Sequence, residues 1–552
     1  MNSGLCAGCI GLALAVLMVT TANAQETIFD PENPGIYDDE EESEAPDEAG
    51  VDEPSPPAPA QQGPSGFRDT QWSTDYRLAV LADPPFGPAG EDAVEFIGGL
   101  GMGLRHDLSE QTRAVVEGRF SYWAGAGQEF DNWRTLYEPR LARAYIVHRR
   151  DRWSWSAGQM RNSWGSTDLI RPGDVIDPVD MRDPLAGGGA GEAIAQLSAS
   201  AAYRRQGWTL RALVVPFFEG NRMNLFGRDP SLVHERNPLV AEQLPFLLLA
   251  QRLINPSLQQ EIQPFLQATD RPQALPKNAS GGVRATKTVS GTDLGAGAFF
   301  GWDRTPAVVM DEDLREVMVL LAEDGQIFED YNFVGFIQRN PEAAGHMQAL
   351  GEKAAEGETI FASRFQRRVT LLVDGARYLG PLGVRGDVAF SPRRTFYTEE
   401  FQPVRRAVVH SALGVSYERL LDGTRPLAVT VEGFWMHPFG VNSPIHRAFV
   451  PDHEGGEEED RLLLVEDGYY GFAAGTNWQS AWWDLELSGG AVVSVQPGDV
   501  IARLSLARAW RPGVKTTLGA SIFAGPNPEE TLSPGGIWAQ ASRVYLMVSG
   551  EL

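Results

Sequence analysis

From Trp72 to the C-terminus, apolar and polar side chains alternate over stretches of about 9 to 13 residues, and this constrains the fold more than any other feature. In AVEFIGGLGMGLR, Val94, Phe96, Leu100, Met102 and Leu104 share one register, while Glu95, three glycines and Arg105 take the other. In TRAVVEGRFSYW, Ala114, Val116, Phe120 and Tyr122 oppose Arg113, Glu117, Arg119 and Ser121. Val384, Val388 and Phe390 oppose Arg385 and Asp387; Leu427, Val429, Val431 and Trp435 oppose Thr430 and Glu432. Trp483, Leu485, Leu487 and Val493 oppose Asp484, Glu486 and Ser488. Successive side chains of a strand point to opposite faces, so each of these strands has a greasy face and a charged one.

A soluble sandwich also alternates, with its apolar face inward. Strand length and the links argue for a closed barrel in a bilayer instead. Each strand reaches or exceeds the ~9–11 residues that cross a membrane. Short links such as 107–110, 205–207, 290–293, 380–383, 479–481 and 511–513 interleave with links that are often much longer, such as 162–192, 218–280, 303–363 and 438–467. Short turns on one rim and long loops on the other mark outer-membrane barrels, and the count is about 18 strands (16–18). The expected fold is all-β, a transmembrane antiparallel barrel with helical inserts in its long extracellular loops. Both termini then face the periplasm. The last strand, SRVYLMVSGEL, keeps the register, with Val544, Leu546, Val548 and Leu552 outward and Arg543 and Glu551 inward.

The ends of the chain fit export. An apolar run from Ile10 to Val19 followed by Ala22-Asn23-Ala24 reads as a signal peptide over 1–24. Cys6 and Cys9 fall within it, so the mature chain carries no disulfide. No later apolar run is long enough for a transmembrane helix. Residues 25–67 carry no base before Arg68 and about half of the formal net charge of −26, and they read as a disordered periplasmic tail. The barrel is expected over 68–552. The remaining charge is only mildly acidic, and no nucleic-acid footprint appears.

Residues 241–256 and DEDLREVMVLLAEDG (311–325) read as helices. In the second, Leu314, Val317, Met318 and Leu321 form one face. That face packs either on the protein's own rim or lumen, or on a partner protein.

SWGSTDLIRPGDVIDPVDMRDPL (163–185) follows a strand and gathers both signs of charge among prolines that hold it stiff. Folded inward, Asp168, Arg171, Asp174, Asp177, Asp180, Arg182 and Asp183 form a constriction with the lumen charges Arg113, Glu117, Arg119, Arg385, Asp387, Glu432, Asp484 and Glu486. Folded outward, the loop caps the rim.

Gly158-Gln159, Ser163-Trp164-Gly165, Asp168 and Asp174-Val175-Ile176-Asp177-Pro178 with Asp180 and Arg182 also resemble a run in porin-like outer-membrane barrels defined only as a domain of unknown function. These are distantly similar to alginate-export and phosphate-selective porins, and residues 281–306 resemble that family's hairpin. The resemblance implies envelope transport of an unspecified solute. The acidic tail, the insert around 311–356 and the terminal Leu552 depart from it.

No catalytic signature stands out. The eight histidines show no metal-ligand spacing, and no G-x-S-x-G run appears. His437, His446 and the acidic HEGGEEEDR loop read as a solvated surface rather than a metal site. The expected function is a channel or export conduit, not an enzyme, with no cofactor. The competing expectation is a plugged barrel anchoring an envelope complex. Expected partners are outer-membrane lipid, the barrel-assembly machinery, and periplasmic or outer-membrane proteins reached through the tail and the loop helices.

Overall fold

The computed structural model describes residues 70–82, 94–127, 130–182, 192–222, 269–270, 272–324, 333–356, 361–397, 403–421, 425–439, 469–480, 483–526, 533–539 and 542–551. The proposed signal peptide and acidic tail, the helix expected at 241–256, Asp183 and Leu552 lie outside them.

Eighteen strands form one sheet. In chain order they are β1 (Thr70–Ala82), β2 (Val94–Ser109), β3 (Thr112–Gly127), β4 (Phe130–Arg150), β5 (Trp153–Met160) and β6 (Gln196–Arg205). Then follow β7 (Trp208–Val215), β8 (Ser280–Val289), β9 (Thr292–Trp302), β10 (Arg367–Leu379), β11 (Leu382–Tyr397) and β12 (Pro403–Leu421). The last six are β13 (Arg425–Pro438), β14 (Tyr469–Gln479), β15 (Leu485–Gln496), β16 (Val500–Arg511), β17 (Val514–Ala524) and β18 (Arg543–Glu551). Each strand pairs antiparallel with the next, and β1 pairs antiparallel with β18 from Asp75–Glu551 to Ala82–Val544. Closure leaves no unpaired edge, which a bilayer requires because it supplies no water to satisfy backbone groups.

Eight of the links, from β2–β3 to β16–β17, are hairpins of two to five residues at one end of the barrel. The two-residue turns Gln206-Gly207 (φ 47° and 76°) and Ser290-Gly291 (φ 51° and 74°) have the left-handed pair that matches strand twist. The long connections leave from the other end, and both ends of the sheet, Thr70 and Glu551, lie at the hairpin end. The β14–β15 link is longer than 479–481: Trp483 and Asp484 have φ of 68° and 49° and form the turn. Asp484 therefore stands exposed at the hairpin rim instead of lining the lumen from a strand. A positive φ breaks the alternation that placed it inward.

The outward face decides the environment. Leu78, Met102, Leu210, Val373, Leu413 and Leu504 all expose their side chains. Aromatic rings flank this band: Trp72, Trp153, Trp155, Trp208, Tyr378 and Trp510 toward the hairpin end, and Tyr137, Phe300, Phe439 and Phe472 toward the other. An apolar band between two aromatic girdles fits lipid and not water. The molecule is a transmembrane β-barrel.

The inward face is not uniformly polar. Toward the hairpin end it carries Asp75, Arg77, Glu117, Arg119, Arg284, Asp374, Asp387 and Glu432. Toward the long-loop end it is largely buried and mixes apolar clusters with buried polar groups such as Arg394, Thr370 and the Arg543–Glu95 pair. Ala79, Leu81, Ile97, Trp123, Tyr545 and Met547 form one cluster there. Phe396, Val408, Phe434, Met436, Tyr469, Val492 and Ile501 form another around Leu169 and Ile170. The expectation of a greasy outside and charged inside thus holds toward the hairpin end, and at the other end the inward face is only partly charged. There, close-packed apolar clusters share the wall with buried ion pairs.

In the insert between β9 and β10, α1 (Glu312–Asp324) and α2 (Phe333–Arg339) pack against α3 (Pro341–Glu356). Phe336 and Ala343 are fully buried, with Leu320 and Ile337 against them. Lys353 donates to Asp311 (2.7 Å) and Asp313 (2.7 Å), and His346 Nδ1 lies 2.8 Å from Asp313. Val317 is buried and Leu314 half-buried, while the side chains of Met318 and Leu321 lie outside the described residues. The insert uses α1 to build its own small core.

Candidate functional site

After β5 the chain turns into the barrel and crosses it. Gly165 and Gly173 permit the closest approaches. A Cβ on Gly165 (φ 122°) would meet an Asp387 carboxylate oxygen at 2.4 Å, and one on Gly173 would meet Leu372 Cδ1 at 2.6 Å. Residues 165–170 thereby lie against the far wall.

Three wall carboxylates receive the loop. Asp387 on β11 accepts from the Ser166 N–H (2.7 Å) and the Thr167 hydroxyl (2.7 Å). Asp374 on β10 accepts from the Ser166 hydroxyl (2.7 Å) and from Arg284 (2.6 Å). Glu432 on β13 accepts from three consecutive backbone N–H groups, Asp168 (2.7 Å), Leu169 (3.1 Å) and Ile170 (2.7 Å). Arg385 and Asp168 form an ion pair. A carboxylate that accepts several backbone donors resembles a helix N-cap and is a strong acceptor. Apolar packing reinforces the bonds: Trp164, Val175 and Ile176 are buried with Leu213, Phe299 and Leu372.

The base of the crossing is also fixed. Asp177 accepts from the Asn162 N–H (2.5 Å) and Gln196 Nε2 (3.0 Å). Burial, with the neighbouring Asp174, pushes the Asp177 carboxyl up to about 7 against these donors. Arg304 donates to the carbonyls of Ile176 and Glu219, tying the loop to the β9–β10 connection.

The next part of the loop is fastened differently. Val179–Asp180 pairs with Glu192–Ala193 in a two-residue ladder. Around it lies an ion-pair network. Glu192 accepts from Arg119 (2.8 and 2.9 Å), Arg140 (2.5 Å) and Arg161. Asp180 accepts from Arg182 (2.6 Å) and pairs with Arg140 at 3.5 Å. Glu138 pairs with Arg182 (2.8 Å) and Arg222 (3.0 Å). Burial pushes the Glu192 carboxyl up, but the guanidiniums of Arg119, Arg161 and Arg140 outweigh it and hold it down at about 2. Arg77, Ser121, Trp123, Glu138, Arg140, Asp180 and Glu192 enclose a cavity of about 10 Å³, about one water molecule.

The structure therefore brings Asp168, Asp180, Arg182, Arg119, Arg385, Asp387 and Glu432 into one lumen-crossing assembly, with Asp174 and Asp177 at its base. The signs are paired in contact and not held apart across an open gap. Arg171 precedes the turn that Asp174 closes by donating its N–H to the Arg171 carbonyl (3.0 Å). Arg113 pairs with Asp107 (2.8 Å), Glu117 with Arg143 (3.2 Å) and Glu486 with Lys515 (3.4 Å), all nearer the hairpin end and away from the loop.

Sequence reasoning missed Glu138, Arg140, Arg161, Glu192, Arg222, Arg284 and Asp374. Asp374 carried a signal, an acid inside the apolar run LLVDGA at the inward register. Glu192 carried a weaker one, a lone acid in the small-residue run GGGAGEAIA.

No family model matches the chain, and no curated protein sequence matches it. Solved porins are similar in shape. OccAB3 of Acinetobacter baumannii aligns at 8% identity over 88% of this chain and 99% of its own, with a TM-score of 0.42. OccK5 (OpdH) of Pseudomonas aeruginosa aligns at 8% identity over 88% and 99%, with a TM-score of 0.41. OmpF of Salmonella typhi, solved with daunomycin, aligns at 8% identity over 88% and 97%, with a TM-score of 0.36. At these scores the likeness adds nothing to the architecture derived above and says nothing of a solute.

Proposed function

We propose that this chain is a porin-like outer-membrane channel whose passage is set by the loop 161–182. The observation that carries this reading is the docking of that loop across the lumen onto Asp374, Asp387 and Glu432. An inward loop on specific wall residues, with paired charges beside it, is what sets size and charge selection in a pore. In this reading the hairpin end and both termini face the periplasm, so the acidic tail lies there. Outer-membrane lipid and the barrel-assembly machinery are its partners, and the chain has no catalytic role. The resemblance of residues 158–182 to porin-like barrels of unknown function supports transport and leaves the solute open.

The buried apolar clusters on the inner wall at the long-loop end favour a second reading, a plugged barrel that anchors an envelope complex through its tail or loop helices. Single-channel recording in planar bilayers separates the two. A channel conducts, and removal of residues 166–176 raises its conductance several-fold. A barrel that stays silent in both forms, while keeping heat-modifiable migration, is an anchor.

A further inference from the structure

Three arginines on neighbouring parts of the wall converge on one carboxylate. Arg119 stands on β3, Arg140 on β4 and Arg161 immediately after β5. All three donate to Glu192, Arg119 sharing one nitrogen between both oxygens at 2.8 and 2.9 Å and Arg140 reaching one oxygen at 2.5 Å. The arginines and their acid are held unequally. β3 and β4 are strands of 16 and 21 residues paired along most of their length. Glu192 sits in a strand of two residues whose ladder partners are Val179 and Asp180 alone. Arg119 and Arg140 thus belong to the rigid wall, Arg161 is the first residue of the loop that follows β5, and the anion belongs to a short piece of that loop's return.

The charges are also unequal. Arg182 answers Asp180 and Glu138, and Arg222 answers Glu138 and Glu219. Arg140 shares Asp180 only at 3.5 Å, so the single Glu192 carboxylate answers most of the charge of three guanidiniums. Guanidinium forks match the oxygens of a carboxylate or a phosphate, and three of them around one point form a stable arrangement only with an anion between them.

We propose that Arg119, Arg140 and Arg161 form an oxyanion-binding site that the chain's own Glu192 fills as an internal ligand, and that a carboxylate- or phosphate-bearing solute enters by displacing it. Exchange of one oxyanion for another keeps every guanidinium bonded throughout, so displacement leaves no buried charge unpaired. Once Glu192 is released, its own backbone is held by the two-residue ladder with Val179 and Asp180. Only the arrival of a solute at the site rests on the channel reading; the site itself does not.

The test uses the full-length protein in detergent, with inorganic phosphate as the probe and chloride at matched ionic strength as the control. In wild type, Glu192 competes, and the thermal midpoint rises above that in chloride only at high phosphate. In Glu192→Ala the midpoint rises with phosphate and saturates, with an apparent affinity at least about 10-fold tighter than wild type. The response is lost in Glu192→Ala/Arg140→Ala. An alanine variant that responds alike to phosphate and chloride overturns the proposal. If that variant does not fold, Glu192→Gln, which keeps the side chain's shape without its charge, takes its place in a calorimetric titration, where failure to bind phosphate in preference to chloride is equally fatal. Phosphate binding to the variant by a barrel that never conducts sinks the channel reading and leaves the site standing.

Discussion

Replacing Glu432 by alanine tests whether the loop is a docked part of the fold or a passive occupant of the lumen. The side chain is 1% exposed, and its two oxygens accept the N–H groups of Asp168, Leu169 and Ile170 at 2.7, 3.1 and 2.7 Å. Truncation leaves three buried donors without an acceptor, each costing about 1–3 kcal/mol if nothing replaces it. Water entering the vacated space satisfies part of this, and the carboxylate's own desolvation is no longer opposed, so the expected net loss is about 2–4 kcal/mol. Glu486→Ala is the control, because that acid is half-exposed and pairs with Lys515 at 3.4 Å, an interaction of about 0–1 kcal/mol. Urea unfolding in lipid vesicles, followed by tryptophan fluorescence and by heat-modifiable migration, reads both variants. Gly414→Ala should act in the same direction, since its added Cβ would lie 2.4 Å from Glu432 Cγ. An alanine variant at 432 within about 0.5 kcal/mol of wild type, or no worse than the control, refutes the idea that these bonds hold the loop.

Leu413 is 66% exposed near the middle of β12, so Leu413→Arg should cost about 2–4 kcal/mol, whereas Gln111→Arg in the exposed β2–β3 turn should cost little; equal losses in the same titration would misplace the bilayer. Asp177 titrates near 7 when folded, above its unfolded value, so its contribution to stability is present at pH 4 and is lost as pH rises through about 7. Asp177→Asn should flatten that part of the pH–stability curve, and an unchanged slope would show that this group does not titrate there. Lys277→Cys, on the long-loop end, should react with an impermeant thiol reagent in intact cells while Ser290→Cys, in a hairpin turn, does not; the reverse pattern inverts the proposed orientation. Deleting residues 26–64 should leave heat-modifiable migration intact, and loss of the folded band would make the tail part of the barrel's architecture.

The barrel was legible in the chain because lipid and a polar lumen impose opposite demands on alternate residues. Phe96, Met102, Val116 and Leu413 must face lipid whatever lies inside, and the strand period transmits that demand to every neighbour. Strand number and the hairpin rim followed from the same local rule. It failed at Asp484, where a left-handed turn that no apolar pattern announces ended the alternation. The rule also says nothing about depth: Ile97, Trp123, Phe434 and Tyr545 occupy inward positions just as Arg119 and Asp387 do. Only closure of the sheet places the apolar ones at one level, where they pack into a core. The loop's inward course was open to the sequence as one of two alternatives, because its prolines and charges suit a rim as well as a lumen. Its partners were not legible at all. Ser166 meets Asp387 across 221 positions and Ile170 meets Glu432 across 262, and no local pattern encodes such pairs. Glu192 shows the limit most sharply: in sequence it is one acid among glycines and alanines, and it becomes the ligand of three arginines only when β3, β4 and the end of β5 are brought side by side.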